Sequence, residues 1–138
     1  MIHPFCERTV LNGMTFGLSS ASYDIRVAED VEVRHGFFCL ASSVERFNMP
    51  LDLIARVADK SSLARRGVAV QNTVLEPGWR GHLTLEISNH SGTYLVMEAG
   101  SPIAQVIFEL LDQPTEQPYV GKYQDQSAGP QPAIFERD

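Results

Sequence analysis

Residues 78–89, GWRGHLTLEISN, alternate in character. Leu83, Leu85 and Ile87 fall on one side of an extended chain; His82, Thr84, Glu86 and Ser88 fall on the other. A period of two predicts a half-buried β-strand with its aliphatic side on a core. It also poses a chemical question. Glu86 is either a solvent-facing strand residue or a carboxylate held in a site.

The same kind of signal recurs along the chain. SYDIRVAEDVEVR (22–34) alternates Ile25, Val27, Val31 and Val33 with charged neighbours. LIARVAD (53–59), GVAVQNTVLE (67–76), TYLVMEAG (93–100) and PIAQVIFELL (102–111) read as further strands. EPG (76–78), NHSG (89–92) and AGSP (99–102) are turn signals between them. Short strands separated by regular turns predict an all-β sandwich or barrel. One segment departs from this. KSSLARRG (60–67) offers Ser61 or Ser62 as an N-cap and Gly67 as a stop, which predicts one or two helical turns.

The last residues, DQPTEQPYVGKYQDQSAGPQPAIFERD (112–138), are rich in Pro, Gln and Gly and poor in aliphatics. Such a segment cannot offset its ordering entropy by burial of its own. The division is therefore a core, 1–112, and a flexible tail, 113–138. The tail nonetheless carries Tyr119, Lys122, Tyr123 and Phe135, more than a plain linker needs.

Composition narrows the function classes. The chain has 138 residues, enough for one core, with 43% hydrophobic and 20% charged residues. A net charge of −6 argues against a nucleic-acid partner, which needs a broad basic surface. Cys6 and Cys39 make no CxxC pair, so zinc-ligand spacing is missing and two buried free thiols are expected. No run reaches the roughly 20 apolar residues of a membrane span, and no signal-peptide layout opens the chain. The expectation is a cytoplasmic protein with no membrane partner.

Three groupings are suited to chemistry. A helix start at Lys60–Ser61–Ser62 combines a cation, two hydroxyls and free N–H groups, a phosphate cradle without a Walker loop. In VLEPGWRGHLTLE (74–86), Trp79 can wall a planar base, and Glu76 and Glu86 can act as acid or base when burial or a cation tunes them. In the tail, Lys122, Tyr123 and Gln126 are suited to closing over an anionic ligand. The histidines His3, His35, His82 and His90 show no metal spacing; His82 shares the strand side of Glu86.

Together these motifs resemble the dCTP deaminase branch of the dUTPase-like trimers. SYDIRV (22–27) is similar to the early strand motif of that family. DKSSLARRGV (59–68) is similar to its Gly-Arg-Ser-Ser-Leu-Ala-Arg motif. LEPGWRGHLTLEISN (75–89) is similar to its Pro-Gly-Trp/Phe-x-Gly and Leu-Glu motif. AGSPIAQVIF (99–108) and GKYQDQ (121–126) are similar to its late strand and C-terminal Lys-Tyr-x-x-Gln. The resemblance spans Ser22 to Gln126, in order.

The resemblance implies a distorted jelly-roll, or β-clip, core and a homotrimer whose active sites are shared between subunits. It implies hydrolysis of dCTP, or a 5-substituted relative, to dUTP and ammonia, with Mg2+ bound to the triphosphate and no zinc. Glu86 would be the general base and proton shuttle, and Arg65 would orient it from an adjacent chain beside Ser61. Lys60, Ser61, Ser62 and Gln105 would contact phosphates, with Lys122, Tyr123 and Gln126 closing over them. Glu76 would meet the sugar hydroxyl. Tyr119 in the tail stands as a further candidate substrate-binding residue, beside Trp79.

Several positions depart from the pattern. Glu76 replaces an aspartate, Gln71 and Asn72 replace Thr-Ala beside the base, and Lys60 replaces an arginine, losing its bidentate fork. Ala69 replaces a histidine linked with feedback by thymidine triphosphate. The zinc deaminase signature H-x-E with P-C-x-x-C is absent, so the permitted route is metal-free and driven by Glu86. Two alternatives stand beside it: an enzyme that also cleaves dUTP to dUMP and pyrophosphate, and a nucleotide-binding protein without catalysis.

Overall fold

The computed structural model describes residues 1–138. Its elements, in chain order, are β1 (Ile2–His3), β2 (Thr9–Leu11), β3 (Met14–Leu18), β4 (Ser22–Arg26), β5 (Val31–Val33), β6 (Phe38–Asn48), β7 (Leu53–Asp59), α1 (Ser61–Ala64), β8 (Val68–Val70), β9 (Val74–Leu75), β10 (Arg80–Asn89), β11 (Leu95–Met97) and β12 (Pro102–Leu110). One sheet has the order β1-β6-β10-β8, a second β2-β3-β4-β12-β7-β9, and β11 pairs with β5 alone. All ladders are antiparallel. The result is an all-β, distorted jelly roll with a single short helix.

The core lies between the two large sheets. Ile25, Val57, Ala104 and Val106 come from one, and Phe47, Leu85 and Ile87 from the other; each is at most 1% exposed. The alternation of 82–89 is realised in β10: Leu83, Leu85 and Ile87 are buried, while His82, Thr84, Glu86 and Ser88 are half-buried.

The longest strand, β6, carries no clean alternation. Ala41, Ser42 and Ser43 are all buried in succession, and Glu45 is fully buried. The register against β10 shifts between His82 and Thr84, and the Ser43 hydroxyl accepts the Leu83 N–H at 2.9 Å in place of a ladder bond. Glu45 is offset by Arg26, whose Nε and main-chain N–H donate to the two carboxylate oxygens at 2.9 and 3.0 Å. A buried carboxylate survives only with such pairing. Polar groups consumed inside the fold thus erase the period-two signal.

The short helix forms where expected, with a different cap. Lys60, not Ser61 or Ser62, is the N-cap, and it makes no side-chain cap bond. Ser61 and Ser62 already lie inside the turn, exposed. Gly67 ends the segment at φ +82°, where a Cβ would meet the Ser91 nitrogen at 2.8 Å. Cys6 and Cys39 are free thiols, half-buried rather than buried. No helix is long and apolar enough to cross a membrane.

Residues 113–138 form no strand or helix beyond one parallel bridge, Gln126 to Gly81. Gln124–Gln126 lie along the start of β10, while the Thr115 N–H donates to the Leu51 carbonyl and the Tyr119 N–H to the Pro77 carbonyl. The Gln126 carbonyl accepts the His82 N–H at 2.9 Å and its amide donates to the His82 carbonyl at 2.7 Å. Gln124 holds the Arg80 N–H and the Gly78 carbonyl through its two amide atoms. Order here comes from hydrogen bonds to an existing strand rather than from a core of the segment's own. Gly81 permits the approach: a Cβ there would meet the Gln126 nitrogen at 2.7 Å.

Candidate active site

The outer side of β10 and the tail enclose a cavity of about 580 Å3. That volume is in the range of small-molecule sites. Glu86 and Thr84 reach it from β10, Leu40 and Phe38 from the paired strand β6, and Thr73, Val74, Glu76 and Trp79 from β9 and its flanks. The tail supplies Tyr119, Tyr123, Gln126, Gln131, Pro132 and Ala133. In register, Leu40 stands opposite Glu86, Ser42 opposite Thr84 and Phe38 opposite Ser88.

Glu86 is the chemically exceptional member. Its Oε2 is buried and has no hydrogen-bond partner, and Ser88 Oγ, next along the same face, is also buried and unpartnered. Burial pushes the Glu86 carboxyl above the usual carboxylate range, opposed only by a bond from its own main chain. Glu86 shares this cavity wall with Leu40 and Leu83, an environment of the kind that can tune a carboxyl for proton exchange. Trp79 is 6% exposed and forms a flat wall; its indole N–H donates to the Tyr123 carbonyl at 2.8 Å, tying the wall to the tail. The Tyr123 hydroxyl accepts the Ile134 N–H at 3.1 Å. Lys122 is exposed, its ammonium 5.5 Å from the centre of the Tyr123 ring. His82 is half-buried, with Nδ1 3.2 Å from the Ser43 carbonyl oxygen.

The α1 turn forms a separate grouping away from that cavity wall. Ser61, Ser62 and Arg65 are exposed. Lys60 points inward: its ammonium donates to Asp24 at 2.7 Å and to the Thr15 hydroxyl at 3.2 Å, and only 9% of the residue is exposed. Gln105 donates to the Asp59 carbonyl at 2.8 Å and accepts from Ser22 at 3.1 Å, so it braces the residue just before the turn. Gln71 and Asn72 are exposed and do not line the cavity; Thr73 and Val74, immediately after them, do.

One chain therefore gathers Glu86, Glu76, Trp79, Tyr119, Tyr123 and Gln126. It leaves Lys60, Ser61, Ser62, Arg65, Gln71, Asn72, Gln105 and Lys122 outside that wall. Sequence reasoning missed Phe38, Leu40, Thr73, Val74, Gln131, Pro132 and Ala133. Their types carry no chemical signature, and the register that brings Leu40 opposite Glu86 depends on an unrecognised strand.

The fold defines the class. The chain has the fold of the dUTPases: the Staphylococcus bacteriophage 80alpha dUTPase G164S mutant, solved with dUpNHpp, matches with a TM-score of 0.64 at 13% identity, covering 92% of this chain and 94% of that one. EIAV dUTPase matches with a TM-score of 0.61 at 19% identity, covering 75% and 86%. Within that class, residues 22–111 match the dCTP deaminase-like family, and the chain belongs to it. The dCTP deaminase of Campylobacter fetus subsp. fetus is 36% identical over 168 aligned positions, taking in 98% of this chain and 90% of that protein. Those 168 positions exceed the 138 residues here, so the relative carries insertions that this chain lacks.

Proposed function

We propose that the protein is a homotrimeric, cytosolic hydrolase that converts dCTP, or a 5-substituted dCTP, to the corresponding dUTP and ammonia, with Glu86 moving every proton. The observation that carries this reading is the buried, unpartnered Glu86 Oε2 in a cavity walled by Trp79. Glu86 takes a proton from water as its oxygen bonds to C4, and passes that proton to N3. It then takes the proton of the new C4 hydroxyl and gives it to the 4-amino group. The C4–N bond breaks, ammonia leaves, and a C4 carbonyl remains. A carboxyl raised by burial suits a group that must both accept and donate a proton.

The orphaned oxygens on the Glu86 face call for a donor that the chain does not supply there. Arg65, exposed on the α1 turn, is that donor when it comes from a neighbouring subunit, and Ser61 stands beside it. Exposed Phe38 (67%) and Val74 (54%) at the cavity edge support burial against a second copy. Ser61, Ser62, Gln105 and Lys122 would take the phosphates, with Tyr123 and Gln126 closing above. Lys60 would hold the turn from inside through Asp24. Glu76 would meet the sugar.

Mg2+ fits as the companion of the triphosphate. No three His, Cys, Asp or Glu side chains converge into a cage, and Mg2+ is commonly held through substrate phosphates. When bound, it offsets phosphate charge.

A second reading, cleavage of dUTP to dUMP and pyrophosphate, draws on Glu76, the other carboxylate on the cavity wall. Incubation with dCTP, 5-methyl-dCTP, dCMP and dUTP in Mg2+ separates the readings. Ammonia from dCTP or its 5-methyl form, without pyrophosphate, is the expected result. Pyrophosphate from dUTP favours the second reading. Binding with neither product overturns both in favour of a non-catalytic module.

A further inference from the structure

Two neighbouring hydroxyls, Thr84 on the cavity wall and Ser42 buried beside it, hold the tail at Gly129 and Gln131. The Gly129 N–H donates to Ser42 Oγ at 3.2 Å, and the Gln131 N–H donates to Thr84 Oγ1 at 3.1 Å. Ser42 on β6 and Thr84 on β10 are cross-strand partners, so the two acceptors form one ledge.

In Gly129-Pro130-Gln131-Pro132 only Gly129 and Gln131 carry a main-chain N–H, because proline has none. Both are spent on the ledge. The chain turns at Gly129, whose φ is +88°, and the two prolines fix their own φ, so the segment is stiff.

The ledge is itself held. Glu29 accepts the Ser42 N–H at 2.8 Å and also accepts the Ser42 hydroxyl proton. With that proton committed to Glu29, Ser42 Oγ turns a lone pair to Gly129. Ser42 is fully buried, so the arrangement has no competing water. Beyond the ledge, Gln131, Pro132 and Ala133 line the same cavity as Glu86.

We propose that Ser42, Thr84 and Glu29 are positioning residues: they fix the proline-stiffened strap Gly129–Ala133 as the wall that closes the cavity beside Glu86. None of the three supplies a reacting atom in this scheme. The role assigned to the wall rests on the deaminase reading of the cavity.

The test uses the full chain with Thr84→Val, which keeps shape and removes the acceptor, and with Ser42→Ala and its conservative counterpart Ser42→Thr. Amide hydrogen exchange is read at Gly129 and Gln131, alongside kcat and KM for dCTP. Loss of one hydrogen bond is expected to speed exchange about fivefold at the matching amide, Gln131 in Thr84→Val and Gly129 in Ser42→Ala. kcat/KM is expected to fall by a similar factor, and Ser42→Thr to restore both. Thr84→Val, on a half-buried site, keeps the test open even if Ser42→Ala fails to fold. Free-chain exchange at both amides in the unmodified protein overturns the strap. Faster exchange with unchanged kcat/KM overturns its positioning role. Absence of any ammonia from the unmodified protein overturns the deaminase reading instead, and protected amides with Thr84-dependent exchange would then still establish the docked strap.

Discussion

Lys60 stands where the family resemblance implies a phosphate ligand, yet its ammonium is buried against Asp24 at 2.7 Å, with side chains 10% and 9% exposed. Lys60→Met keeps the length of the stem and removes the charge. Asp24 would keep the Thr15 hydroxyl at 3.0 Å but lose its counter-ion. Breaking a buried pair by deleting one partner costs about 3–5 kcal/mol. For 138 residues, with an unfolding entropy of about 2.1 cal/mol/K per residue, that lowers Tm by about 10–17 °C. Thermal melts at one fixed protein concentration measure it, since subunit assembly shifts Tm by mass action. Asp24→Leu combined with Lys60→Met should recover most of the loss, because an apolar pair of similar volume is often neutral. A Lys60→Met protein that melts within about 3 °C of the parent, yet loses tenfold or more in dCTP affinity, would refute the structural role. Lys60 would then be a phosphate ligand.

Three other outcomes follow from the same geometry. Burial raises the Glu86 carboxyl, so the native state holds that proton to higher pH than the unfolded chain; stability falls as pH rises from about 4.3 through the raised value and stays lower above it. In an Arg65→Ala background, where no neighbouring guanidinium offsets the charge, Glu86→Gln should therefore melt above its Arg65→Ala parent at pH 8 and converge with it near pH 4; a double variant less stable than Arg65→Ala at pH 8 contradicts the cause assigned. Gly81→Ala places a Cβ against the Gln126 main chain at 2.7 Å, so the tail should lift, the emission of Trp79, the only tryptophan, should move to the red, and kcat/KM should drop roughly tenfold or more. Unchanged emission would mean the tail does not depend on that approach. Arg65→Ala and Glu86→Gln chains, each inactive alone, should regain activity when refolded together, because a mixed trimer contains sites with both native residues; no recovery would place both groups in one chain's site.

Much of the fold can be read from residue order because strands such as β10 keep aliphatic residues toward the core in a period of two. β10 turns Leu83, Leu85 and Ile87 to the core and polar residues away from it, and β7 buries Ala55 and Val57 on either side of exposed Arg56. β6 escapes that reading because Ser42, Ser43 and Glu45 turn inward and find partners there. The candidate site divides in the same way. Glu86, Trp79 and Gln126 announce themselves by type and spacing, and the structure brings them together. Leu40, Val74 and Pro132 reach the cavity only through cross-strand register and tail docking, neither of which leaves a local mark. Lys60 shows the converse: its type suggests a ligand, while a carboxylate far away in sequence, Asp24, takes up its charge.

The most direct measurement is ammonia release from dCTP by the native protein and by Glu86→Gln, with triphosphate binding followed in parallel. If Glu86 moves each proton, the variant should bind dCTP with little change and lose about 10,000-fold or more in kcat, the upper end for a single acid–base group. That corresponds to about 5.4 kcal/mol of barrier. Ammonia release at the native rate from Glu86→Gln would contradict the assignment of the chemistry to this carboxylate.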